Sequence, residues 1–170
     1  MSEPAQSIIR NFARVLLLVV LIAGLGWRYA HPKSRIPQDI RAQTPFTIIV
    51  PSDTDVTLKD WRYSTVEKNL SYTAYVNDEK VVVTQQKAPL AYRDDKATYD
   101  RFVGTLRPVA NFQSPLGTVS IFHLFEEGTY VPQGDSAVLL ASDTLLIAHP
   151  TKAMTDDDWA ALFRTVRAER

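Results

Sequence analysis

The chain contains no cysteine. That absence removes disulfides, thiolate nucleophiles, cysteine-ligated zinc and iron–sulfur clusters from consideration. It also removes a lipid-modified cysteine behind an N-terminal apolar segment. Glycine is scarce too, six among 170 residues, and no phosphate-cradling loop, dinucleotide fingerprint or nucleophile elbow is present. No residue pattern asks for a cofactor. Nor is there a net excess of charge, since 19 Lys and Arg balance 19 Asp and Glu.

That balance hides an asymmetry. Residues 1–43 carry six basic residues against Glu3 and Asp39, whereas residues 44–170 carry 13 basic residues against 17 acids. An acidic domain offers no electrostatic footprint for a phosphate backbone, so nucleic acid is not an expected partner. The basic excess lies beside an apolar segment, where it can meet anionic lipid headgroups.

The apolar segment is the strongest feature present. Val15 to Trp27 holds no charge, but 13 residues make only about 20 Å of helix against a hydrocarbon core of roughly 30 Å. Counting from Phe12 to Ala30 gives about 28 Å at the helical rise. Arg14 and Arg28 fall inside that span and can snorkel to the two interfaces, and Trp27 and Tyr29 fall at one boundary, where amphipathic rings settle. The reading is a single-pass signal anchor over 12–30, in contact with the bilayer along Phe12, Val15, Leu18, Leu21, Trp27 and Ala30, after a short tail over 1–11. A cleaved signal peptide is the competing reading. Gly24-Leu25-Gly26 offers small residues for cleavage, but bulky Trp27 and Arg28 follow at once. Arg10 and Arg14 precede the run while Arg28, Lys33, Arg35 and Arg41 follow it, a count that alone would place the C-terminal side in the cytoplasm. Long following domains translocate largely regardless of charge, so orientation stays open at this point.

Residues 31–45 (HPKSRIPQDIRAQTP) hold three prolines and no hydrophobic period, which predicts an extended linker. From Phe46 to Arg170 short β-type runs take over. Phe46–Val50 is a buried-type strand stopped by Pro51, and a run near Val56–Thr65 contains Trp61 and Tyr63. Leu70–Val76 alternates, placing Leu70, Tyr72, Ala74 and Val76 on one face. Asn77-Asp78-Glu79 turns the chain into Lys80–Gln86. Over Asp94–Leu106, Tyr99, Phe102, Val103 and Leu106 form one helical stripe, with Asp94 or Asp95 as its cap. Val109–Gln113 and Thr118–Phe125 flank the Ser114-Pro-Leu-Gly117 turn, and Ser136–Ala141 and Thr144–His149 flank Ser142-Asp143. Thr155 to Val166 predicts a last helix: Thr155 and Asp158 make a capping box, and Trp159, Leu162, Phe163 and Val166 form its apolar stripe. With no βαβ rhythm, the expected fold is α+β. It is an antiparallel sheet of about six to seven strands, with the short middle helix and the C-terminal helix on one face.

Candidate chemistry is sparse. His31 lies in the linker and His123 and His149 in separate strands, with no metal-ligand spacing among them. Asp53-x-Asp55 and Asp156-Asp157-Asp158 lack the glycine and glutamate of a calcium loop, and turn formation and helix capping explain them. Glu126-Glu127 are adjacent at a strand end and would point to opposite faces rather than form an acid–base pair. A hydrolase would need His123 or His149 clustered with carboxylates in a cleft. Trp61, Tyr63, Tyr72, Tyr75, Tyr92, Tyr99, Tyr130 and Trp159 either fill a core or line an apolar cleft; Tyr72 and Trp159 lie on inward stripes, whereas Tyr75 has the opposite phase.

The order of elements (FTIIVP, DWRYS, VVVTQQ, SPLGTVSIF, AVLLASDTLLIAH and a final T-x-x-D-W helix behind one anchor) resembles uncharacterised bacterial membrane-anchored extracytoplasmic domains. These include domains of actinobacterial membrane proteins and domains attached to anti-sigma-factor-like proteins. The resemblance implies an outward-facing, non-enzymatic unit. The expected function is a membrane-anchored interaction or envelope-sensing module with a protein partner in the envelope. The alternative is a carrier or sensor of an apolar ligand, a lipid or cell-wall fragment, held between sheet and helix.

Overall fold

The computed structural model describes residues 35–125 and 132–170. The anchor over 12–30, the tail before it, His31, Glu126, Glu127 and Tyr130 lie outside the described residues. Among those described, no helix is long and apolar enough to cross a membrane.

Seven antiparallel strands form one sheet. In chain order they are β2 (Thr57–Ser64), β3 (Asn69–Val76), β4 (Glu79–Lys87), β5 (Ala110–Ser114), β6 (Gly117–Phe125), β7 (Pro132–Ala141) and β8 (Thr144–Pro150). Their spatial order is β2-β3-β4-β8-β7-β6-β5. A separate two-stranded ribbon pairs β1 (Ile48–Pro51) with β9 (Val166–Glu169). The expected α+β class and antiparallel sheet are therefore found. Two tight turns set the register. Asn77 and Asp78 both take positive φ, 47° and 66°, the geometry that matches the right-handed twist of the flanking strands. Ser142, at φ 55°, does the same between β7 and β8.

Four helices accompany the strands among the described residues: α1 (Gln38–Gln43), α2 (Leu90–Asp94), α3 (Lys96–Thr105) and α4 (Asp156–Phe163). Asp95 caps α3 by accepting from Ala97 N–H at 2.9 Å. The capping box on α4 forms as its sequence implies, with Thr155 and Asp158 exchanging bonds.

The two main helices do not share a face, which corrects the one-sided arrangement. Trp159, Leu162 and Phe163 of α4 pack with Tyr72, Val83, Leu139 and Leu146. The α3 stripe of Tyr99, Phe102, Val103 and Leu106 packs instead on Phe122, Val138 and Leu145. Val138 and Leu139, like Leu145 and Leu146, are neighbours in one strand and so point to opposite sides. The reason is written in AVLL and TLLIA: apolar at both phases, these strands are buried on both faces, and each face needs its own cover.

Two further expectations are revised. The proline-rich stretch is not wholly extended, because α1 forms within it and Ile36 and Ile40 are buried in the main core. One isoleucine on a six-residue helix is too short a pattern to register as a period. The last helix stops at Phe163, not Val166. Thr165 C=O accepts from Ser52 N–H at 3.0 Å and from Ser52 Oγ at 2.6 Å, drawing the chain into β9. Val166 still reaches the core, but from a strand.

A side chain joins the ribbon to the sheet. Gln85 of β4 is fully buried, accepts from Ile49 N–H at 2.8 Å and donates to Ile49 C=O at 2.6 Å. Tyr72 Oη donates to the same carbonyl at 3.1 Å. Burial pushes the Tyr72 phenol well above its ordinary pKa, with Gln85 and Arg35 acting in the opposite sense.

Candidate functional site

The polar pairs come first, since they decide whether catalytic machinery is assembled. His123 Nδ1 contacts Asp135 across β6 and β7. Ser136 Oγ lies 2.9 Å from His149 Nδ1 across β7 and β8. A serine, two histidines and an aspartate thus occur in three adjacent strands, a proximity that strand spacing alone does not foretell. They do not combine. Asp135 and Ser136 are consecutive in one strand, so their side chains leave opposite faces of the sheet. Ser136 shares its side with Val138 of the α3 face, and Asp135 shares its side with Leu139 of the α4 face. Neither pair lines the clefts described below.

Other candidates resolve into structure. Asp53 Oδ1 accepts from Asp55 N–H at 3.0 Å, closing a turn. Asp158, beyond its capping role, accepts from Asn77 Nδ2 at 2.8 Å, tying α4 to the β3–β4 turn. Hydrogen bonds from Asn77 and Thr155 hold its carboxyl below the usual aspartate range. No group of three or more His, Asp or Glu that could hold a metal occurs among the described residues.

A group whose folded pKa is depressed contributes stability above its unfolded value, near 4, and loses it as pH falls through the folded pKa. Asp158 should therefore add to an acid-induced loss of stability that Asp158→Asn escapes. Urea midpoints of the 35–170 fragment taken from pH 7 down to pH 3 test this. The wild-type midpoint should fall more steeply below about pH 4 than that of the variant, and parallel curves would refute the assignment. Because Asp158 lies at the surface, only partly covered, the difference should be small.

The aromatic residues mostly fill cores. Trp61 packs on Tyr72 with ring centroids 4.4 Å apart, and Tyr92 stacks on Phe102 at 5.0 Å. Burial raises the Tyr99 phenol to about 12, and the Leu140 backbone offsets part of the rise. Tyr75 is half-buried on the opposite phase to Tyr72, with Lys59 Nζ 5.3 Å from its ring centre.

One aromatic group does border open space. A cleft of about 590 Å³ lies between β5 and α4, lined by Phe112, Pro115, Ile121, Trp159 and Ala160, with Asp156 and Arg164 also in its wall. Two of its lining rings, Trp159 and Phe112, are bridged by the buried Phe163, with centroids 6.2 and 5.8 Å apart. Trp159 is buried, and its indole N–H has no hydrogen-bond partner among the described residues. The cleft holds no histidine and no nucleophile–base couple. Such a surface binds through apolar contact and peripheral charge. Trp159 was legible as part of an apolar stripe; Phe112, Ala160 and Arg164 were not, because only the packing of α4 beside β5 brings them together. No family model, curated protein or solved structure matches this chain.

Proposed function

We propose that this chain is a single-pass membrane protein whose folded unit stands outside a bacterial cytoplasmic membrane as a non-enzymatic interaction or envelope-sensing module. The uncharged run from Val15 to Trp27, followed by a proline-containing stretch and then a folded acidic unit, carries the reading. Two of the basic residues that argued for a cytoplasmic orientation are committed to the fold. Arg35 donates to the carbonyls of Pro51 at 3.1 Å, Asp53 at 2.5 Å and Val56. Arg41 pairs with Glu169. Four basic residues still follow the run against Arg10 and Arg14 before it, but a following domain of this length translocates largely regardless of charge.

The cleft beside β5 suits a protein partner better than an enclosed apolar ligand. A carrier needs a continuous cavity between sheet and helix, but that interface is filled by Trp159, Leu162 and Phe163, each 1% exposed. The open volume sits at the rim. Protease added to intact spheroplasts should destroy a C-terminal epitope tag, with lysis adding little further loss. A tag fully protected until lysis overturns the outward orientation.

A further inference from the structure

The sheet has two edges, and only one is guarded. Edge strand β2 carries Lys59, Asp60 and Arg62, its register breaks between Lys59 and Arg62, and Asp60 takes φ 56°. Charge and a bulge are devices that blunt an edge against further pairing. The other edge, β5, reads Ala-Asn-Phe-Gln-Ser without a charge, and its register with β6 is unbroken from Ala110↔Ile121 to Ser114↔Gly117. Every second residue of an antiparallel edge strand turns its N–H and C=O away from its partner, so β5 presents a row of donors and acceptors that no other described strand pairs.

Open space flanks that row on both faces. The α4 face has the cleft of about 590 Å³. The α3 face has another of about 530 Å³ reaching Tyr99, Val103 and Leu140, and Asn111 and Gln113 border both. Side chains of an added strand alternate between faces, so successive residues would enter the two clefts in turn. In the first cleft Asp156 and Ala160 of α4 and its C-cap Arg164 follow one another at intervals of four. Neither Asp156 nor Arg164 forms an ion pair among the described residues. Eight residues of helix separate these two charges by about 12 Å, close to the roughly 13 Å between positions i and i+4 of a strand. Ala160, the smallest of the three, leaves room between them.

The geometry points to the β5 edge as a docking site for an extended peptide segment of a partner protein that pairs with β5 as an eighth strand. Its recognised pattern is basic–x–apolar–x–acidic, read in either chain direction. The basic residue meets Asp156, the apolar one enters over Ala160 against Phe112 and Trp159, and the acidic one meets Arg164. Backbone pairing supplies affinity and the alternate side chains supply selectivity. This rests on the interaction reading and gives it a partner chemistry.

The test uses the full chain in lipid nanodiscs and a phage library of random nine-residue peptides, depleted first on empty nanodiscs. Enriched peptides should share opposite charges four residues apart around an apolar residue. The best of them, synthesised, should bind at least ten-fold more weakly when alternate backbone amides are N-methylated, and also to Ala160→Phe. Selection on Arg164→Glu should enrich peptides basic at both positions, a swap that misfolding cannot produce. No enrichment over empty nanodiscs, binding indifferent to N-methylation, or an unchanged pattern with Arg164→Glu overturns the proposal. So does a sedimentation result in which β5 pairs with a second copy and Ala160→Phe dissolves the dimer. Nanodiscs expose both sides of the membrane, so failure here leaves the display reading intact, and full protease protection in spheroplasts leaves this site intact.

Discussion

Trp159→Ala combined with Phe163→Ala should abolish cooperative folding of the 35–170 fragment. Each side chain is 1% exposed, and the two rings lie 6.2 Å apart within the main core. Emptying a buried Trp or Phe site costs about 3–5 kcal/mol, so the pair approaches the roughly 5–15 kcal/mol that holds a domain together. The rings touch one another, so the two losses need not add. Even so, the near-ultraviolet circular dichroism of the double variant should be lost and its thermal transition broad or absent. A cooperative transition at the parent temperature would mean that α4 is not part of the core, and it would remove the helix as one wall of the β5 cleft.

Gln85→Leu should lower stability by about 1–3 kcal/mol, although it places a more apolar side chain of similar size at a fully buried position. The loss follows from Ile49. The β1–β9 ribbon runs Ile48↔Glu169 to Pro51↔Val166, and the backbone of Ile49 is served by the Gln85 amide on its sheet side. Leucine would leave the Ile49 N–H buried without a partner, at a cost of about 1–3 kcal/mol, and remove one of two donors from its carbonyl. Tyr72 Oη still reaches that carbonyl, so the damage centres on the N–H. Gln85→Glu should also destabilise, since a buried carboxylate cannot donate to Ile49 C=O unless protonated. Guanidinium midpoints of the three proteins test both claims. Equal stability of Gln85→Leu and wild type would show that the amide does not secure the ribbon.

Amino-acid order alone determined the local elements. The Asn77-Asp78 and Ser142-Asp143 turns, the alternation from Leu70 to Val76, the Thr155–Asp158 capping box and the Trp159 stripe all act over a few residues. Such signals survive without knowledge of the neighbours. The strands of the main sheet belong to the same class, whereas β9 does not. Where a local signal was ambiguous, it failed in a definite way. Ile40 was one apolar residue in a polar stretch, and Val166 continued a helical spacing although the chain had already turned toward Ser52.

Tertiary structure decided everything that depends on which strand lies beside which. AVLL and TLLIA were visibly apolar at both phases, but only the strand order β4-β8-β7-β6 places them mid-sheet, where α3 and α4 must cover opposite faces. Gln85 reads as one polar residue among several until Ile49 arrives beside it, 36 positions away in the chain. His123 with Asp135 and His149 with Ser136 come together by strand pairing, and the strict alternation of a strand keeps the two pairs apart. The unguarded β5 edge is legible only once β2 is known to be the other edge. Long-range pairing creates these features, and it follows from the joint packing of apolar surface from distant segments, which no short window of sequence contains.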